Sequence, residues 1–313
     1  MFDILTITAP IYIAIVLGYG LTRWGVFQKS DMRGFGTFVI KVSLPAMLFN
    51  ALSNTHVKDI FQPAYLAAYA LASLATLGLA LAWSMKVKKE SFSLSSCYAM
   101  GMSCPNSGFV GYPVVLLSLG PIAGVVLALN MIVELFLIIP ILMAWADAQE
   151  GQNSAFQVLF QTLKGMLSNT LLWGIVLGFL FSWFEIQLPQ SLNRTVTLFA
   201  QASGALSLFV IGGSLVGLSV KGMGPRVSQI AFGKLMLHPL LMLAVLMWIL
   251  PISDPVLRAA AILSCAMPMF GIYPILTQKH GHEGLSAAAL LVTTMASFFS
   301  LNGLLWLLKV NPV

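Results

Sequence analysis

Charged residues are scarce in this sequence: Asp, Glu, Lys and Arg make up 8% of its 313 residues, while 58% are hydrophobic and the mean hydropathy is +0.91. Soluble domains are about 25% charged, so a water-soluble globular fold is excluded. Long polar segments are missing as well. The longest begins Asp147-Ala-Gln-Glu-Gly-Gln-Asn-Ser154, too little for a separate catalytic or nucleotide-binding domain. Cysteine is rare, and Cys97, Cys104 and Cys265 lie in apolar segments without CxxC spacing, which indicates neither a disulfide framework nor a zinc site. No GxxxxGK phosphate loop occurs, which argues against ATP-driven pumping. DDxxD, GxGD and HExxH are also absent and the ten acids sit mostly in loops, which weighs against an intramembrane enzyme. A channel would show a selectivity ring or repeated pore loops; enzyme and anion channel stand as the competing readings. No basic run exceeds Lys86, Lys88 and Lys89, so the net charge of +6 and pI near 9.3 speak of membrane topology and not of nucleic acid. His280-Gly-His282-Glu283 has ligand-like residue types but reads as a solvated loop, and no metal or cofactor is expected.

What the sequence does have is apolar runs. At about 20 residues per span, segments near 5–22, 34–52, 63–85, 93–118, 121–146, 166–184, 196–218, 228–250, 256–278 and 284–308 predict an all-α polytopic membrane protein of ten transmembrane helices. With no basic n-region in Met1-Phe2-Asp3, the first run reads as a retained span. The stretch 93–146 is almost unbroken and is divided at Gly120-Pro121 on its turn residues. With the amino terminus outside, ten basic residues fall in inside loops: Arg23, Lys29, Arg33, Lys86, Lys88, Lys89, Lys164, Lys221, Arg226 and Lys279. Four, Lys58, Arg194, Arg258 and Lys309, fall outside, and Lys41 and Lys234 lie within spans. That bias predicts both termini outside and the polar linker inside. The chain then divides into a five-helix unit over 1–147, a linker over 148–165 and a second five-helix unit over 166–313.

The two units repeat one another. An offset of 161 places Ser103 on Ser264, Cys104 on Cys265, Phe109 on Phe270, Tyr112 on Tyr273 and Pro113 on Pro274. A weaker match at offset 160 places Ser43, Leu48 and Phe49 on Ser203, Leu208 and Phe209. Units with an odd number of spans insert with opposite orientation, which gives inverted repeats of the kind used by alternating-access carriers. The stronger match also holds the strongest helix breakers. In span four these are Pro105, Gly108, Gly111 and Pro113; in span nine, Pro268, Gly271 and Pro274. Paired prolines remove amide donors and clash with the preceding turn, and unwound backbone at membrane depth is tolerated only where protein or a polar cavity meets it. Pro113 and Pro274 are placed to begin the second half-helices, whose amino-terminal amides could face an anion.

At these residues the sequence resembles the auxin efflux carrier family, in its bacterial malonate-transporter-like branch, related to plant PIN carriers. The resemblance rests on Ala9-Pro10-Ile-Tyr12 through Gly18-Tyr19-Gly20, Leu44-Pro45-Ala-Met-Leu-Phe49, Cys104-Pro105-Asn106-Ser-Gly108-Phe109-Val-Gly111-Tyr-Pro113 and Pro268-Met-Phe-Gly271-Ile-Tyr-Pro274. It implies a fold like that of bile-acid sodium symporters and PIN carriers, with broken spans four and nine crossing as an X and a substrate carboxylate bound beside the crossing. Spans one, two, six and seven would form a scaffold; three to five and eight to ten would move against it. Asn106 falls on the family's crossover asparagine. Tyr69 and Ser73 stand where plant members carry an acid and a lysine, so that charged pair is missing, and no acid near the span-nine break supports sodium coupling. The function implied is a secondary carrier, exporting a small organic anion such as a malonate-like or auxin-like carboxylate.

Several polar residues are candidates for that site. Asn106 could donate two hydrogen bonds to a carboxylate or cap the local turn. Ser103, Ser107, Tyr112 and Tyr273, with Met267 beside the second break, could extend the pocket or satisfy unwound backbone. Asn50, Gln201 and Ser207 on scaffold spans could line a cavity or bond between helices. Glu134 and Lys234 are rare charges at membrane depth, and Lys234 shares a helix face with His238 four residues on. They read as coupling groups, as a structural ion pair, or, for the lysine, as a snorkelling side chain. Lys41, near a span end, reads as snorkelling. The partners expected are the anion and the lipid bilayer, with a homodimer through the scaffold left open.

Overall fold

The computed structural model describes residues 2–142, 165, 167–219, 222–278 and 280–308, with side chains from residue 8 onward. The linker expected at 148–165 lies, Gly165 apart, outside the described residues, as do Lys164, Lys221, Lys279 and Lys309. The rest is helical but for loops and one antiparallel bridge. In chain order the helices are α1 (Phe2–Arg23), α2 (Lys29–Ser53), α3 (Pro63–Lys86), α4 (Phe92–Ser103), α5 (Tyr112–Leu119) and α6 (Ala123–Val133). There follow α7 (Thr170–Trp183), α8 (Gln190–Ser214), α9 (Gly224–Trp248), α10 (Pro255–Ala266), α11 (Tyr273–Gln278) and α12 (Glu283–Leu307).

Among the described residues six runs are long and apolar enough to cross a bilayer: Lys29–Ser53, Val57–Lys86, Ser107–Leu142, Gln190–Ser214, Gly224–Trp248 and Glu283–Leu307. Thr170–Trp183 and Pro255–Ala266 are shorter and equally apolar in kind. The 36-residue run from Ser107 is not straight. Gly120 takes φ +77° and ψ −150° and ends α5, so the chain turns at Gly120-Pro121, where the sequence places the division. Only glycine adopts that region without strain.

Pro10 lies inside α1, and four further prolines within helical runs share one local solution. Pro45, Pro113, Pro140 and Pro239 each follow a five-residue π turn: Val39–Ser43, Ser107–Gly111, Glu134–Ile138 and Gly233–Leu237. In each case the residue before the proline donates its amide five residues back, Leu44 to Val39, Tyr112 to Ser107, Ile139 to Glu134 and His238 to Gly233. Widening the turn relieves the clash between the proline ring and the carbonyl one turn earlier. It also frees carbonyls. Ile40, five residues before Pro45, accepts from Thr170 Oγ1 of α7 at 3.0 Å, and Phe109, four before Pro113, accepts from Ser207 Oγ of α8 at 3.0 Å. The prolines therefore write interhelical hydrogen bonds into the fold. Pro113 stands in the first turn of α5, as the sequence predicts, with the π turn from Ser107 preceding it. Pro274 likewise stands at the start of α11.

Lipid is as apolar as leucine, so close backbone approach is what joins helices in a bilayer. α1 lies along α8, and α2 along α7. A Cβ on Gly18 of α1 would strike the Phe209 carbonyl of α8, and a Cβ on Gly178 of α7 would come within 3.1 Å of the Phe49 carbonyl oxygen of α2. Gly18 and Gly178 are 160 positions apart, as are Phe49 and Phe209. These two contacts are thus the same contact with the halves exchanged. Elsewhere α3 packs on α4 and α9, α9 on α10, and α12 on α11.

Candidate functional site

The two broken helices meet at their breaks through main-chain atoms. Asn106 N donates to the Pro268 carbonyl at 2.8 Å and Phe270 N donates to the Cys104 carbonyl at 3.2 Å, with Pro105 and Met269 facing each other between them. α4 ends at Ser103 and α10 at Ala266, so both strands of this bridge are the unwound segments that the paired prolines announce. Pro105 and Pro268 lack the amide that would continue either helix, and each break spends neighbouring polar groups on the other. The reciprocal bonds relate positions 164 apart, whereas the sequence identity runs at 161. The difference arises before the bridge and is cancelled after it: Cys104 stands two positions before Asn106, and Cys265 five before Phe270. Six residues separate Asn106 from Tyr112 and three separate Phe270 from Tyr273, and the π turn takes up the excess.

Asn106 is the N-cap of that turn. Its Oδ1 accepts from Phe109 N at 3.1 Å and its carbonyl accepts from Val110 N and Gly111 N. Its amide nitrogen makes no hydrogen bond among the described residues, so capping leaves two donors open. Gly111 sits against the Asn106 carbonyl and Met267, where a Cβ would approach to 3.3 and 3.5 Å, and Gly108 lies under Leu44 of α2. Gly271 faces Ile211 of α8. Met267 is fully enclosed beside the crossing, and Tyr112 is half-buried without a hydrogen-bond partner.

The other expected pocket residues are less concentrated. Ser103 returns its hydroxyl to the Ala99 carbonyl of its own helix at 2.7 Å. Tyr273, fully buried, points away from the crossing and donates to the Cys97 carbonyl in α4 at 2.7 Å, its ring stacked on Phe270. Asn50 lies in the last turns of α2, where its side-chain oxygen accepts from Asn54, and Gln201 is exposed on α8. No hydrogen bond brings either one to the crossing. Ser207 touches the site through the Phe109 carbonyl, which is interhelical bonding. Lys41 is exposed, as a snorkelling side chain should be.

Behind the crossing the charged residues stand in two hydrogen-bonded clusters. Glu134, at the start of its π turn, accepts at Oε1 from Ser107 Oγ at 2.5 Å and from Tyr69 OH at 2.7 Å. Lys234, wholly enclosed, donates to the Cys265 carbonyl at 2.9 Å and lies 2.7 Å from His238 Nδ1; His238 Nε2 lies 3.2 Å from Ser73 Oγ. A lysine ammonium at the Cys265 carbonyl caps the carboxyl end of α10, and a carboxylate at Ser107 faces the amino end of the following half-helix, the sign each end favours. Lys234 does not snorkel, and no salt bridge joins it to Glu134; among the described residues the one salt bridge is Arg226–Glu90 at 2.9 Å.

The sequence reading missed a third cluster. Tyr65 OH donates to Asn130 Oδ1 at 2.9 Å and lies 3.2 Å from Ser264 Oγ, which also accepts from Asn130 Nδ2 at 2.9 Å. Tyr65, Tyr69 and Ser73 fall on one face of α3, and Asn130 and Glu134 on one face of α6. Four-residue spacing of polar groups within apolar helices was the available signal. At the α11–α12 turn, His282 pairs with Ser93 at 3.1 Å, and burial, then His280 and Arg226, hold its pKa below the usual 6.5.

Comparisons with known proteins bear on this arrangement. A family described as "Membrane transport protein" matches residues 3–305. A Rhizobium meliloti (strain 1021) protein named "Putative malonate transporter" is 24% identical over 313 residues, covering 99% of this chain and 97% of that protein. An Escherichia coli (strain K12) protein, "Uncharacterized transporter YfdV", is 24% identical over 244 residues, 75% of this chain and 76% of the other. "Auxin efflux carrier component 7" of Arabidopsis thaliana is 26% identical over 127 residues, 40% of this chain and 20% of that protein.

Proposed function

The chain belongs to the membrane transport protein family, the auxin efflux carriers that its motifs resemble, and on that footing we propose that it is a secondary carrier for a small organic anion. It is an integral membrane transporter; the substrate class, the site and the movement are the parts proposed. The observation that carries the proposal is the crossing itself, two unwound segments tied through main chain with Asn106 at the amino end of a half-helix and its amide donors open. Such an end, with a neutral amide beside it, suits a carboxylate. Malonate and related dicarboxylates are the first candidates, in line with the named relative that covers the whole chain.

Transport in this reading proceeds by alternating access between inverted repeats. The reciprocal contacts of Gly18 with Phe209 and Gly178 with Phe49 support a two-fold relation between the halves. Helices α1, α2, α7 and α8 form the scaffold, joined by those contacts and by Thr170–Ile40, and α3 to α6 with α9 to α12 move against it. Few polar bonds span the two groups; Ser207 to Phe109 and Tyr12 to Ser297 at 3.1 Å are among them. Asn106, with Ser107, Tyr112 and Met267 around it, forms the substrate site. The membrane is a bacterial inner membrane, with the linker inside, and the chain carries out transport and no catalysis.

Purified protein in liposomes, given labelled mono- and dicarboxylates under imposed pH, sodium or voltage gradients, tests the proposal. Saturable uptake of one acid, lost in Asn106→Ala, is the expected result. Uptake indifferent to Asn106 moves the site elsewhere, and no uptake of any anion overturns the reading.

A further inference from the structure

Glu134 is the acidic side chain that the fold buries among the described residues. Its two oxygens are used unequally. Among the described residues Oε1 receives both hydroxyls, from Ser107 and Tyr69, and Oε2 receives nothing, yet it is not among the fully enclosed unpartnered atoms there, which are Thr22 Oγ1, Ser43 Oγ and Ser96 Oγ. A carboxylate held through one oxygen keeps the other free to take a proton without losing either bond. No cation neutralises it at contact distance, because Lys234 directs its donors to Cys265 and His238. The titratable groups facing it are Tyr65 and Tyr69 from α3, Cys104 from the end of α4, Cys265 from α10 and Lys234 from α9, with His238 behind the lysine.

Position supplies the second half of the argument. Ser107, which Glu134 holds, is the residue next to Asn106 at the start of the half-helix. An anion at the Asn106 amide and an ionised Glu134 would share the same helix end in a medium of low dielectric, where like charges repel strongly. A neutral Glu134 removes that repulsion. By linkage, an anion that binds more tightly to the protonated protein raises the proton affinity of that protein by the same factor.

We propose that Glu134 is the proton site of the carrier and that one proton binds at Oε2 with each substrate anion, Tyr69 and Ser107 fixing the carboxyl while Lys234, held by the neutral His238 ring, supplies a standing counter-charge. This rests on the carrier reading above and names its coupled ion. The proton comes from water on one side and leaves on the other; no covalent bond of the protein changes apart from O–H at Oε2.

The test is equilibrium binding of labelled malonate, with a panel of mono- and dicarboxylates beside it, to the purified full chain across a pH range above that in which the probe itself titrates. In the wild type the dissociation constant should weaken by up to about tenfold per pH unit, the limit for one linked proton. Glu134→Gln should bind with no such slope and should lose accumulation driven by a pH gradient in liposomes. Glu134→Asp should restore a slope, which a merely structural role would not, and Tyr69→Phe should shift the midpoint of the profile. Should Glu134→Gln fail to fold, the Tyr69→Phe profile decides. Binding in the wild type that is flat with pH, or a slope that survives in Glu134→Gln, overturns the proton site and leaves the carrier standing. Failure of every carboxylate to bind at any pH overturns the carrier reading and this one with it.

Discussion

The two breaks are built from the same prolines and yet differ in what they offer. The first presents an amide, a serine and a half-helix that runs from Ser107 through Leu119; the second presents Met267, Met269 and Phe270, and α11 after it has six residues. Main-chain bonding at the bridge is reciprocal, so the asymmetry is one of side chains and of the helix that follows. On the proposed reading, one break recognises a charge and the other completes the joint. A repeat can thus keep its backbone rule in both copies while assigning chemistry to one.

Substitutions at the bridge test that division most sharply. Asn106→Ala should lower uptake by about 10- to 100-fold, the worth of a hydrogen bond to a charged group, while Phe270→Ala, across the bridge, should change it far less. Asn106→Asp separates the roles, since it keeps an oxygen for Phe109 N but replaces open donors with a repelling charge; uptake should fall as far as in the alanine variant while the protein stays folded. Next comes Ser207→Ala, which leaves the Phe109 carbonyl without its donor and should cost about 1–3 kcal/mol in thermal or denaturant stability. Tyr273→Phe should cost about 1 kcal/mol and leave the substrate affinity alone, because its hydroxyl serves the Cys97 carbonyl and not the anion. A drop in affinity there would show the second break to be a reader as well.

The smallest effect expected is at His282, which ties the turn after α11 to Ser93 at the start of α4. Its pKa in the folded chain lies below the usual 6.5, so the unfolded chain takes up the proton first as pH falls. Stability should therefore be complete above that value and decline as pH drops through 6.5 toward the lower folded value. Melting temperatures compared above and below this window, with His282→Gln flattening the difference, check the sign.

Much of the fold was legible in the sequence for physical reasons that can be named. Apolar runs bounded by charge gave helices wherever the expected spans fall on described residues, six of them long enough to cross a bilayer, and Gly120-Pro121 gave its turn because few other residue pairs tolerate that geometry. The breaks were visible in paired prolines. The bridge register was not, because three extra residues before the bridge in one copy and three after it in the other, taken up there by the π turn, cancel in an ungapped offset. Pro45, Pro140 and Pro239 likewise carried a signal for π turns that apolar periodicity hides. Within the site, Asn106, Ser107, Glu134 and Lys234 stood out by residue type. Tyr65, Asn130 and Ser264 did not, since tyrosine and serine are ordinary in membrane helices until their partners are known. Tyr273 matched a repeat position, and its direction was set by the short helix after it, which no pattern in the sequence announced.

The joint between the broken helices is made by peptide groups, and that has a consequence for descent. A hinge whose strength comes from amide and carbonyl does not depend on which side chains flank it, provided the prolines keep the segments extended. Lineages sharing this framework are free to exchange the residue at position 106 or its neighbours without rebuilding the joint that holds the two segments together.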